Sequence, residues 1–250
     1  MTETAYVGWR TQSPQAALAF LPPEPLPEAV SALLALHPLV SETQALAPRL
    51  FQARAAFDLR LRVTPEAVRP VQFKRIEEPG ALSESAFRGL FSYITPSAQR
   101  APNRPAVQMS LNLHLLTDRP ATLLLMPPFF AESFRSWPGS LVCGRFPLTA
   151  WPRPLNAILE WQDRDRDWVI RRGDPLAYFL VEFDDPAVTP DLVEAATTPQ
   201  LARHLKMVDN VSSVGRNVGP MFAEAARRRP KRLVVPKVTG APAWDPDPAG

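Results

Sequence analysis

Phe57, Leu59, Leu61 and Val63 alternate with Asp58, Arg60 and Arg62, which predicts a half-buried strand over 56–63. The same period of two runs longest over 106–116. There Val107, Met109, Leu111, Leu113 and Leu115 make the core face, and Gln108, Ser110, Asn112 and His114 the opposite one. The apolar run 121–126 follows a turn-like Thr117-Asp118-Arg119-Pro120, so the two runs are expected to form an antiparallel hairpin. Further strands are predicted at 140–146, 155–161, 167–172 and 175–183, set apart by Pro, Gly and Asp clusters. Short strands so punctuated predict a mainly β fold with peripheral helices (α+β), an antiparallel β-sandwich or jelly roll.

The helical signals lie outside that core. Residues 26–38 read as a short helix with Pro27 at its start, and Val30, Leu33, Leu34 and His37 share one face. That placement makes His37 a packed or half-exposed helix residue rather than a ligand. Residues 189–208 and 219–230 read as helices, with Pro190 and Pro220 in the first turn, where proline is tolerated. Residues 77–85 read as a loop, and the tail 240–250 forms neither helix nor inner strand. The expected organisation is a helical, Pro-rich extension over 1–50, a β-sandwich core over 51–186, helices packed on the core over 187–237, and a flexible tail over 238–250. No internal repeat is present.

Composition narrows the class. Thirty of 250 residues are proline, against a usual share of about 5%, and they are scattered. Each fixes φ and removes a backbone donor, which favours strands and turns over long helices. The net charge of +3 is not the balance of a nucleic-acid-binding chain. A single cysteine, Cys143, excludes a disulfide framework and a Cys-rich zinc site. The N-terminus lacks the basic and apolar regions of a signal peptide, and no apolar run approaches the ~18 residues of a membrane helix. The expectation is a soluble, cytoplasmic protein.

Candidate chemistry is sparse. Asp163, Asp165 and Asp167 have the spacing of a calcium loop, but Trp168 stands where the loop needs glycine, and Arg164 and Arg166 compete for the acids. A charged tip between Trp161 and Trp168 is the plainer reading. His37, His114 and His204 are far apart and belong to no metal motif, so no metal and no cofactor is expected. There is no nucleophile elbow and no Walker loop; the two glycines of 214–220 read as a turn before a helix. Cys143, beside Gly144 in an apolar run, is expected to be a buried structural thiol. The polar face carrying Gln108, Asn112 and His114, joined by Arg153 from a later segment, is the candidate ligand site if it lines a cavity, and an ordinary outer sheet face if it meets water. Arg227, Arg228, Arg229, Lys231 and Arg232 are candidates for phosphate or an acidic partner. The competing reading is a cationic helix end favoured by the dipole, and no aromatic interleaves with the run for base stacking. Arg172-Gly173-Asp174 has the letters of an adhesion signal, but its turn chemistry makes it a connection between two strands.

Several segments together resemble a family of uncharacterised proteins from tailed phages and bacteria: 56–62, 105–118, 126–130, 151–161 and 171–185, in that order. The likeness spans roughly residues 45–230 of the chain. The resemblance maps the family's polar elements to Asp58, Gln108, Arg153 and Asp174 and implies no activity. The expected function is a β-sandwich binding or structural module, phage-derived or virion-associated, with a protein partner or a second copy of itself and no membrane. The alternatives are an enzyme acting on a small molecule or a modified residue in a cupin-like pocket, and a nucleic-acid-associated protein.

Overall fold

The computed structural model describes residues 3–11, 21–28, 46–64, 72–76, 82–94, 104–149, 154–214 and 219–238. Side chains of 72–74, 208–219, 221, 222 and 225 are not among them. The helix expected at 26–38 lies outside these residues beyond 28, and so do His37, Arg153, most of 77–85, residues 215–218 and the tail 240–250.

The protein is mainly β with helices at the periphery, as the alternation predicts. Fifteen strands are described: β1 (Glu3–Thr11), β2 (Glu24–Pro25), β3 (Leu50–Arg54), β4 (Leu59–Thr64), β5 (Gln72–Ile76), β6 (Phe91–Tyr93), β7 (Ala106–Ser110), β8 (Leu113–Thr117), β9 (Ala121–Met126), β10 (Gly139–Leu141), β11 (Gly144–Pro147), β12 (Asn156–Trp161), β13 (Trp168–Ile170), β14 (Pro175–Phe183) and β15 (Val188–Glu194). The described helices are α1 (Glu84–Leu90), α2 (Pro199–Val214) and α3 (Gly219–Arg227). The strands form four sheets, ordered β15-β1-β8, β10-β12-β7-β6, β11-β9-β14-β3-β2 and β13-β4-β5. Every pairing is antiparallel except β1 with β15, which run parallel.

One apolar core joins the four sheets. Leu59, Leu61 and Val63 of β4 enter it, as do Val107 and Met109 of β7, Leu113 and Leu115 of β8, and alternate residues of β9 and β14. Trp137, Trp161 and Trp168 cluster within it, with Trp168 edge-on to both other indoles at centroid distances of 5.2 and 6.5 Å. Edge-to-face contact matches ring edge to ring face electrostatically. No described helix is long and apolar enough to cross a membrane.

The long strand expected at 106–116 is two strands. Asn112 has φ 46°, in the left-handed region that Asn tolerates better than most residues. Its side chain accepts a hydrogen bond from Ser110 Oγ at 2.9 Å. The kink sends β7 into one sheet and β8 into another. The expected hairpin between 106–116 and 121–126 does not form: β8 pairs with β1, and β9 pairs with β11 and β14. The connection through Asp118 crosses between sheets instead. Residues 140–146 likewise divide into β10 and β11, and Cys143, at the break, is exposed rather than buried.

The helix expected from 189 begins ten residues later. Residues 188–194 are β15, because β1 offers them a parallel edge from Glu3↔Val188 to Trp9↔Glu194. The Arg172-Gly173-Asp174 segment is a connection, as its turn chemistry implies, and it too crosses between sheets, from β13 to β14. Gly173 has φ 92°, which a glycine adopts without a Cβ penalty.

Candidate functional site

The polar residues singled out from sequence do not share a site. Gln108 lies half-buried in β7, opposite Ser92 of β6 and Ile158 of β12. Asn112 is occupied in the kink. His114 is only 1% exposed and sits opposite Arg10 of β1, on the side of β8 that the C-terminal segment covers through Leu116, Leu201, Leu233 and Val234. It faces neither water nor a cavity shared with Gln108. Arg153 is outside the described residues.

Asp58 and Asp174 serve the same turn, and the reason is structural. Asp58 Oδ1 accepts the Arg172 backbone N–H at 2.9 Å, and Asp174 Oδ2 accepts that of Arg171 at 2.8 Å. Both carboxylates hold the turn between β13 and β14. The 163–167 cluster is likewise paired: Asp167 takes Arg60 at 2.6 Å and Arg62 at 2.7 Å, and those cations hold its carboxyl below the ordinary range against the cost of burial. Among the described residues, no three His, Cys, Asp or Glu side chains converge as metal ligands do.

The arrangement with chemical capacity lies on the C-terminal helices. Thr198 caps α2: its Oγ1 accepts the Leu201 N–H at 3.1 Å, and Pro199 occupies the first turn. Leu201 and Leu205 then dock on the sheet of β15, β1 and β8. His204 follows Leu201 by three positions, so it also faces inward and is 3% exposed. Gln200, Arg203, His204 and Met207 fall at i, i+3, i+4 and i+7, one stripe of the helix. With Arg228 and Pro230 from the segment just after α3 they line an open cleft of about 200 Å³.

The basic run 227–232 is divided in its use. Arg227 and Arg228 turn back onto Glu224, with Arg227 Nε 2.8 Å and Arg228 Nε 2.5 Å from its carboxylate oxygens. These two cations push the Glu224 carboxyl down to about 2. Arg229 folds inward, its side chain 9% exposed, donates to the Thr117 carbonyl and lies 3.8 Å from Asp118. Lys231 and Arg232 point to solvent. Asp118 also accepts the Leu233 N–H at 2.6 Å, which straps the segment after α3 onto the β8–β9 connection.

Within the cleft His204 is chemically distinctive. Neither imidazole nitrogen has a hydrogen-bond partner. Burial, reinforced by the Arg229 charge, pushes its pKa down from 6.5 to about 4, so the ring is neutral at physiological pH and carries one N–H donor and one bare acceptor. Arg203 donates Nε only to the Pro199 carbonyl at 3.4 Å, and among the described residues no carboxylate pairs with it. Sequence reading missed Gln200, Arg203 and His204 as a group. The available signal was a histidine at an inward helix position beside an arginine; only the fold adds Arg228.

No family model, no curated protein and no solved structure matches the chain.

Proposed function

We propose that the protein is a non-enzymatic binding module, a β scaffold that presents a basic C-terminal face to an acidic protein partner. The observation that supports it is the set of exposed cations Arg203 and Arg228, which line the cleft, and Lys231 and Arg232, which follow Pro230 in the chain, opposed among the described side chains of α2 and α3 by Glu224 alone. Asp58, Asp167 and Asp174 of the β core are engaged in turns and ion pairs, which suits a scaffold. No aromatic interleaves with residues 226–232, so an acidic polypeptide fits this face better than stacked bases. A phage-derived, virion-associated, jelly-roll module is the finer form of the same proposal and rests on motif resemblance alone.

The test is binding to poly-L-glutamate across a salt series, with a single-stranded oligonucleotide in parallel. Poly-glutamate should bind, weaken as salt rises, and weaken further in the Lys231→Glu/Arg232→Glu variant. Unchanged binding in that variant refutes the docking face; tighter, charge-dependent binding of the oligonucleotide shifts the reading to nucleic acid.

A further inference from the structure

The C-terminal helices rest on a small apolar cluster of their own. Leu116, Ala195, Leu201, Leu233 and Val234 form it, apart from the large core that joins the sheets. A layer held by so few buried side chains opens at a lower free energy than the core. Polar links fasten it as well: Asp118 accepts the Leu233 N–H at 2.6 Å, and Arg229 donates to the Thr117 carbonyl, 3.8 Å from the same carboxylate. His204 is buried in this layer, with both ring nitrogens shielded and without a hydrogen-bond partner. The Arg229 charge acts on it, and among the described residues no carboxylate pairs with it.

The charged groups around this layer are already committed. Arg10 of β1 is half-buried and registered opposite the buried His114 of β8. Asp118 is engaged by Arg229 and the Leu233 N–H, and Glu194 of β15 by Lys237 at 2.6 Å. Arg203 comes from α2 and Arg228 from just after α3, where Arg227 and Arg228 both hold Glu224. Tyr6 and Asp191, registered on β1 and β15, are exposed. A charge appearing on His204 therefore meets cations, and among these groups no uncommitted carboxylate.

We propose that this layer is an acid-released flap: a proton taken up by His204 bars it from reseating beside Arg229, so α2 and α3 leave the sheet while the β core stays folded. The shielded nitrogens take up that proton only when the layer opens, and the charged ring then holds it open. The ring is held at about 4 when closed and returns to 6.5 when open, so the open population rises up to about twentyfold from pH 7 to pH 5. Opening breaks the Arg229 and Asp118 links together, because both fasten the same segment to the β8–β9 connection. Release does not depend on what the basic face binds, although it carries that face away from the core.

The test is amide exchange of the full chain by NMR at pH 7 and pH 5, each rate divided by its intrinsic rate at that pH. Protection at Leu205, Leu233 and Val234 should fall about ten- to twentyfold, while Leu125 and Phe179 of the core keep theirs. His204→Gln, which carries no titrating ring, should abolish the fall, and His114→Gln should retain it, with folding of both checked by circular dichroism. Ring-nitrogen NMR of the wild type needs no variant: His204 should take up its proton over the pH range in which protection is lost. Four results each overturn the proposal: a fall retained in His204→Gln, a fall abolished by His114→Gln alone, a parallel fall in the core amides, or a His204 ring that titrates while Leu233 stays protected. Poly-glutamate binding at pH 7 is read separately, so the flap and the docking face stand or fall independently.

Discussion

Asp118 should be among the most costly polar side chains to remove, although it lies in a surface connection. Its carboxylate accepts the Leu233 N–H at 2.6 Å and, more weakly, the Val234 N–H at 3.2 Å. Both residues are buried, so neither N–H has water to fall back on when the acceptor goes. A hydrogen bond to a charged group contributes about 1.5–3 kcal/mol, and an N–H left buried and unpaired costs about 1–3 kcal/mol. The largely buried Arg229 also loses its nearest carboxylate, 3.8 Å away, and keeps only the Thr117 carbonyl. Allowing for the longer second bond, Asp118→Ala should lose about 3–4 kcal/mol, a large share of the roughly 5–15 kcal/mol typical of a domain. Asp118→Asn keeps an acceptor without the charge and should lose about half as much. Urea unfolding with an unchanged m-value measures both losses, and amide exchange at Leu233 and Val234 locates them. A loss under about 1 kcal/mol in the alanine variant, or intact protection at Leu233, would refute the strap.

Three further outcomes test separate parts of the structure. Asn112→Val should cost more than about 1–2 kcal/mol in urea unfolding, because a β-branched residue is forced to φ 46°, whereas Asn112→Gly should cost less despite losing the Ser110 contact. Gly173→Ala should cost about 1–2 kcal/mol from backbone strain alone, since a Cβ there meets nothing within 4 Å; a loss well above that would mean a clash the structure does not contain. His204 should make the protein less stable in mild acid. Its folded pKa of about 4 lies below the unfolded 6.5, so the unfolded chain takes up the proton first as pH falls, and stability is lost between 6.5 and 4. The loss from pH 7 to pH 5 is at most about 2 kcal/mol, less where cleft water solvates the ring, and His204→Leu should remove it. Equal pH dependence in wild type and that variant would show that His204 is not held neutral.

The core was legible from alternation, and the reason is visible at 107–115. Val107, Met109, Leu111, Leu113 and Leu115 all bury as the period of two requires, even though the chain changes sheets at Asn112. Both strands bend around the same core, so the kink leaves the pattern of inward residues unbroken. Periodicity therefore identifies which side chains are inside and is blind to which strands pair. The missing hairpin at 113–126 follows from the same blindness: the turn signal in Asp118-Arg119-Pro120 is real, but the bend it makes leads out of one sheet and into the next. Asp118 then serves a partner more than a hundred residues away, which no local pattern can announce.

The C-terminal region shows where local signals cease to decide. Thr189-Pro190-Asp191-Leu192 and Thr198-Pro199-Gln200-Leu201 are nearly the same words, yet the first lies in a strand and the second opens a helix. The difference is tertiary. β1 presents an unpaired edge to Val188–Glu194, and seven registered positions of parallel ladder outweigh a helix-start preference of a kcal/mol or so, as propensity is only a weak prior. Once the strand claims 188–194, the helix must begin at the next Thr-Pro, and its phase is then fixed by Leu201 against Leu116 and Val234. That phase is what turns His204 inward and leaves Arg203 beside it at the surface. The candidate site is thus a consequence of strand pairing at β15, which completes the sheet that Leu201 docks on. The chemistry of the cleft is carried by residue types visible in the sequence. Their convergence comes from a choice between two equivalent Thr-Pro signals that only the edge of β1 resolves.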